Sequence, residues 1–280
     1  MTFDVPSELT QFAESVRAAI GPWEPRREPE LGDWQDDRDD ELASRLADAG
    51  WSELWAGEEL LGAVVAGGFE LGRAAAPLSL VDEPTLGAPL CVGGRARHAR
   101  GATSVALALH GGGLALGTPT GEGRAEPTLD GTGTVVLDIG ASGELEPVAA
   151  SACWRAWNAA TLAYLAGLAG RALDLAVEHA RSREQFGAPI ASLPAVQSRL
   201  ADAALATDAM ALLAWAATAN DADVQDGELR WAGSVCCEVT ASAQQVHGAV
   251  GFALETGLHA YYRRARATQA WAVATCDALR

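Results

Sequence analysis

Lysine is absent from the 280-residue chain, whose 20 basic residues are all arginine. Without it there can be no lysine Schiff base, P-loop or kinase-type ATP site. Positive charge is scarce overall, since 37 acidic residues against 20 arginines leave a formal net charge of −17. That field repels phosphate backbones, and the short run Arg263, Arg264, Arg266 is no basic stripe, so nucleic acid is not expected as a partner. The five cysteines (Cys91, Cys153, Cys236, Cys237, Cys276) are odd in number and lack C-x-x-C spacing, so neither a disulfide framework nor a zinc knuckle is indicated. They read as reduced, mostly interior thiols. His98, His110, His179 and His259 show no metal-ligand spacing. No uncharged apolar run reads as a membrane span, because the best candidate, 151–175, contains Arg155, Asn158, Arg171 and Asp174. The start MTFDVPSELTQ is polar and acidic, unlike a signal peptide. Together these absences predict a cytoplasmic protein without a membrane partner.

What is present is a chain that is 49% hydrophobic, long enough for one large or two ordinary domains. Leu9, Phe12, Val16, Ala19 and Ile20 recur at helical steps after Ser7, a candidate N-cap, and the helix ends at Gly21-Pro22. Residues 23–37, rich in proline and acids, read as a solvated loop. Helical spacing returns at 40–49 and again at 60–73, the latter weakened on paper by Gly62, Gly67 and Gly68. Between Pro84 and Pro147, short Val/Leu/Ala runs at 104–109, 113–116 and 134–139 alternate with glycine clusters, the signature of strands in a small β-domain. From Ser151 the chain is again helical, with alanine-rich segments near 153–184, 194–219, 228–247 and 253–275. The class is therefore α+β and mainly α: an N-terminal helical domain (1–82), a reduced β-domain (83–150) and a C-terminal four-helix bundle (151–280). Nine tryptophans are read as core and interface filler.

Two strings carry more than periodicity. Arg183-Glu184-Gln185-Phe186-Gly187-Ala188-Pro189-Ile190, followed by Gln197-Ser198-Arg199-Leu200-Ala201-Asp202, resembles a helix-turn-helix passage of the acyl-CoA dehydrogenase family. Gln244-Gln245-Val246-His247-Gly248-Ala249-Val250-Gly251-Phe252, with Glu255 and Tyr262-Arg263-Arg264-Ala265-Arg266, resembles that family's later glycine turn and the helix after it. The residues 42–51 and Glu70-Leu71-Gly72-Arg73-Ala74-Ala75-Ala76-Pro77 are more weakly similar to its N-terminal helical domain. The resemblance implies a flavoenzyme fold in which a glutamate removes the α-proton of an acyl-CoA while the β-hydride passes to FAD. It also implies FAD shared across a subunit interface, its diphosphate and adenosine held by the arginine and glycine turns of a neighbour.

The residue chemistry suits that division. Arg183 presents a planar fork for phosphate oxygens, and Phe186 can cover a ring face. Gly248 permits close backbone approach and Gln245 can hydrogen-bond beside it. These four are the candidate cofactor-binding residues; the competing reading is that Arg183 and Gly248 only finish helices. His247 is read as a local hydrogen-bonding residue of the glycine turn.

The family's two positions for the glutamate base hold Ala272 and Trp157 here, so no catalytic residue is assigned. Neither accepts a proton, and a positioned base contributes about 10²–10⁴-fold. Glu255 and Asp277 are the nearest acids in sequence. Pro194 stands where a glutamine usually contacts FAD, and Ala249 where a second glycine usually lies. Proline offers no amide donor. The expected role is a base-less subunit of a heteromeric FAD-dependent acyl-CoA dehydrogenase (oxidoreductase), paired with a full-length subunit in a heterotetramer. A homo-oligomeric, self-sufficient flavoenzyme with a relocated base and a non-enzymatic scaffold are the alternatives. The acyl group, whether from fatty acid or steroid side-chain metabolism, is not encoded in any segment that matches.

Overall fold

The structure is a computed structural model, and it describes residues 5–21, 40–54, 60–97, 99, 101–126, 128, 133–219 and 226–280. The acidic loop expected at 23–37 and the break expected near 220–223 lie outside these residues.

Four helices open the chain: α1 (Ser7–Ile20), α2 (Asp40–Asp48), α3 (Leu61–Arg73) and α4 (Ser79–Leu86). Ser7 is the first helical residue of α1 and Pro6 its cap, with no side-chain cap bond. The glycines of α3 mark contact rather than weakness. A Cβ on Gly67 would sit 2.2 Å from the Trp51 ring, and one on Gly72 would sit 2.0 Å from the Tyr164 carbonyl oxygen. Across the same contact, a Cβ on Gly167 would lie 2.1 Å from the Phe69 carbonyl oxygen. Glycine on both sides is what lets α3 lie directly on the central helix α5 (Pro147–Ser182). Helix α4 is absent from the sequence reading because Pro77 and Pro84 look like stops, yet Pro84 is buried inside it.

Seven short strands follow: β1 (Leu90–Val92), β2 (Arg95–Arg97), β3 (Val105–Leu109), β4 (Gly113–Pro119), β5 (Arg124–Glu126), β6 (Thr134–Val136) and β7 (Ile139–Glu144). They form one sheet in the order β5-β6-β2-β1-β3-β4-β7. Only the β1–β3 pair is parallel. The expected runs correspond to β3, the start of β4, and β6 with the start of β7. Strands β1, β2 and β5, three residues each, are too short to leave a period of two.

The C-terminal bundle consists of α5 (Pro147–Ser182), α6 (Pro194–Ala217), α7 (Asp226–His247) and α8 (Leu258–Leu279). Helix α5 starts earlier than the alanine pattern implies, because Pro147 at the first helical position is preorganised for a helix start. Helix α8 starts later, because two 3₁₀ turns occupy Gly248–Phe252 and Leu254–Thr256.

The reading that no segment could span a membrane is corrected on length and composition, since α5 and α6 both pass that test. Helix α5 is the buried centre of the bundle, with 67% of its most apolar window inside the protein, and core helices pass the same test. Helix α6 is less buried than α5, and Leu205 on it is 70% exposed.

Candidate functional site

The two motif strings meet at one end of the bundle. Helix α5 ends at Ser182, and Arg183 follows with its amide donating to the His179 carbonyl at 2.8 Å. The chain then makes a hairpin, β8 (Glu184–Gln185) and β9 (Ala188–Pro189), before α6 begins at Pro194. The two-residue loop is Phe186-Gly187, with φ of 56° and 83°. Consecutive positive φ values define the tight turn that matches strand twist, but phenylalanine at such a position is strained. Phe186 is also 91% exposed, so neither local conformation nor core burial explains an aromatic side chain here.

Beside this hairpin, α7 ends at His247 and Gly248 adopts φ 67°. The rings of His179 and His247 stack at 4.2 Å between centroids, joining the arginine turn to the glycine turn. His247 Nδ1 also pairs with the Ala243 carbonyl at 2.8 Å, as expected of a local hydrogen-bonding residue. Burial, then His247 and Arg183, push the His179 imidazole below its ordinary value.

Gln245 and Arg183 are exposed, and Arg183 makes no ion pair among the described residues. A Cβ on Gly248 would meet nothing within 4 Å, so its φ alone accounts for glycine in the isolated chain. This end thus offers an exposed guanidinium, an uncovered aromatic ring and an open glycine turn. Such a donor set suits the phosphates and flat rings of a dinucleotide.

The two positions that the resemblance assigns to a base have the opposite character. Trp157 and Ala272 are each 1% exposed. The Trp157 indole Nε1 donates to Asp82 Oδ1 at 3.0 Å, and Trp154 packs edge-on against its ring at 5.6 Å. Arg97 from β2 clamps the same carboxylate with Nη2 to Oδ1 at 2.7 Å and Nε to Oδ2 at 3.1 Å. The Leu90 amide adds a fourth donor at 3.2 Å, and the Arg97 guanidinium lies 5.1 Å from the Trp271 ring centre. A carboxylate is therefore buried beside one of the positions that the resemblance assigns to a base. Four donors fill its lone-pair positions and it is 0% exposed.

The two acids nearest in sequence lie elsewhere. Asp277 is held by Arg230 at 2.6 Å. Glu255 is exposed in the 3₁₀ turn after the glycine turn. Asp82 and Arg97 escaped the sequence reading, because one sits between prolines, the other in a three-residue strand, and no local pattern pairs residues 15 apart. The stacked histidines likewise come from separate helices. Among the described residues no cluster could hold a metal ion.

A mainly helical chain with a small sheet between helical regions, and these two turns at one bundle end, has the architecture of an acyl-CoA dehydrogenase. Residues 156–272 match the family model described as acyl-CoA dehydrogenase, C-terminal domain. Over 115 residues the chain is 38% identical to 3-sulfinopropanoyl-CoA desulfinase from Paraburkholderia xenovorans, covering 39% of this chain and 29% of that protein. It is 35% identical over 113 residues to the short-chain specific acyl-CoA dehydrogenase of Bos taurus, covering 37% of this chain and 26% of the relative. The match thus spans less than a third of these curated relatives' length.

Solved structures extend the likeness to the whole fold. The Tcur3481-Tcur3483 steroid ACAD G363A variant superposes with a TM-score of 0.75 at 22% identity, over 95% of this chain and 93% of that one. The ChsE4-ChsE5 complex from Mycobacterium tuberculosis gives 0.73 at 19% identity, over 97% and 95%. The glutaryl-coenzyme A dehydrogenase glutaryl-CoA complex gives 0.76 at 18% identity, over 99% and 95%.

Proposed function

We propose that this chain is a base-less subunit of a heteromeric FAD-dependent acyl-CoA dehydrogenase, completing the flavin site of a full-length partner subunit. When bound, FAD supplies the hydride acceptor for α,β-dehydrogenation of an acyl-CoA thioester, and the partner supplies the carboxylate base and the acyl pocket. The contribution of this chain is Arg183 and Gln245 toward phosphate oxygens, Phe186 against a ring face, and the Gly248 turn as the place of close backbone approach.

One contrast carries the reading. Arg183, Phe186 and Gln245 are exposed, while Trp157 is buried against the Asp82–Arg97 pair and Ala272 is buried as well. A self-sufficient enzyme would need the second region open. The exposed Leu205 on α6 supports a protein partner. Two of the structurally similar proteins are the ChsE4-ChsE5 complex and the Tcur3481-Tcur3483 steroid ACAD variant, each named for two components.

The test is flavin content and turnover of the complex co-purified from the native host. Arg183→Ala should weaken flavin retention by about 1.5–3 kcal/mol, the scale of a hydrogen bond to a charged group. Glu255→Gln should leave turnover nearly unchanged. Turnover lost in Glu255→Gln with flavin intact would make this chain the catalytic one instead.

A further inference from the structure

We infer that His179 and His247 are positioning residues whose stacked rings hold the arginine turn against the glycine turn, so that a charge on His179 loosens both. The inference rests on the proposed flavin role for its biological meaning, but its geometry belongs to this chain alone.

The His179 and His247 rings are 4.2 Å apart and 23° from parallel. His179 lies four residues before Arg183, and its carbonyl accepts the Arg183 amide at 2.8 Å. The Arg183 carbonyl in turn accepts the Ile190 amide at 2.8 Å, so the base of the hairpin hangs from the end of α5. On the other side, His247 is the last residue of α7 and Gly248 follows it directly. The stack is therefore a ring contact between the two residues from which the two turns spring.

Charge on this pair acts against the arrangement. The groups set against His179 are His247 from α7 and Arg183 from its own helix end, and both oppose a positive imidazole. Glu178, the adjacent acid, is directed to Arg171 at 3.4 Å. A positive His179 ring loses solvation in this partly buried place and is repelled by the nearby Arg183, and there the repulsion is weakly screened. The sign follows from the lowered His179 value. The folded state binds its proton less readily than the unfolded chain, so the stack is intact above the ordinary imidazole range. It is lost as pH falls through that range toward the lowered value.

Three forms of the complex co-purified from the native host test this: wild type, His179→Phe, which keeps a stacking ring without a titratable group, and His179→Ala, which removes the ring. Wild type should hold flavin about tenfold more weakly at pH 5.5 than at pH 7.5, a coupling of ordinary size between two sites. His179→Phe should flatten that dependence while retaining flavin at pH 7.5, and His179→Ala should weaken retention at both pH values. A wild-type pH dependence that persists unchanged in folded His179→Phe overturns the inference.

The chain alone provides a readout independent of flavin. The backbone amide resonances of Arg183 and Gly248 should titrate together with the His179 ring in wild type and stay still in the double variant His179→Phe/His247→Phe, in which neither ring can titrate. Amides that do not move while the ring titrates also overturn it. Should Arg183→Ala leave flavin untouched while these amides follow the imidazole, the functional reading fails and the coupling stands.

Discussion

Trp157 donates its indole proton to Asp82 at 3.0 Å, linking the first helix of the bundle to the last helix of the N-terminal region. The place where the resemblance leads one to seek a base is thus a closed joint between α4, β2 and α5. That joint is well packed. Arg97 satisfies the carboxylate charge, Trp157 and the Leu90 amide fill its remaining lone pairs, and Trp154 and Trp271 cover the edges.

Substitutions at Trp157 report on this joint. Trp157→Phe keeps most of the ring but leaves a buried acceptor without its donor, for an expected loss of about 1–3 kcal/mol in urea unfolding. Trp157→Glu, which restores the residue type of the base, places a second carboxylate against Asp82. It should cost more than Trp157→Phe and give no acyl-CoA oxidation by the isolated chain, as measured with an artificial electron acceptor.

The Asp82–Arg97 pair should behave as a buried ion pair, with side chains 0% and 2% exposed. Arg97→Met alone strands a buried carboxylate and is expected to destabilise by about 3–5 kcal/mol. Adding Asp82→Asn should recover a large part of that loss, because the uncompensated charge is gone. A double mutant as unstable as the sum of the two singles would show that the two residues do not act as a pair.

Packing of α3 on α5 gives a steric prediction. Gly72→Ala would drive a methyl to 2.0 Å from the Tyr164 carbonyl oxygen, and a backbone atom cannot rotate away. The helices must separate, at about 1–3 kcal/mol or more. The melting temperature should fall accordingly, whereas Gly227→Ala, with nothing within 4 Å of the new carbon, should change it little.

All five thiols are free and buried. Burial and the neighbouring Asp226 push Cys276 up to about 12, and burial pushes Cys236 well above the usual thiol range. Native protein at pH 8 should therefore react only slowly with a disulfide reagent such as Ellman's, with all five thiols appearing in guanidinium chloride. Rapid reaction of even one thiol in the folded state would contradict that burial.

The chain's own pattern determines its class and the identity of its exposed turns. Helical steps along α1, α3 and α5 to α8, glycine-punctuated runs at β3 and β4, and the strings around Arg183 and Gly248 are local, and local geometry sets them. The expectation that Ala272 and Trp157 stand where the resembling family carries a base rests on the same local strings. What the tertiary structure alone decided are contacts between distant residues: Asp82 with Arg97 and Trp157, His179 with His247, and Gly72 against the Tyr164 carbonyl. The glycines of α3 show the difference most directly. On propensity they count against the helix, and only the facing backbone of α5 shows that a side chain there would have no room.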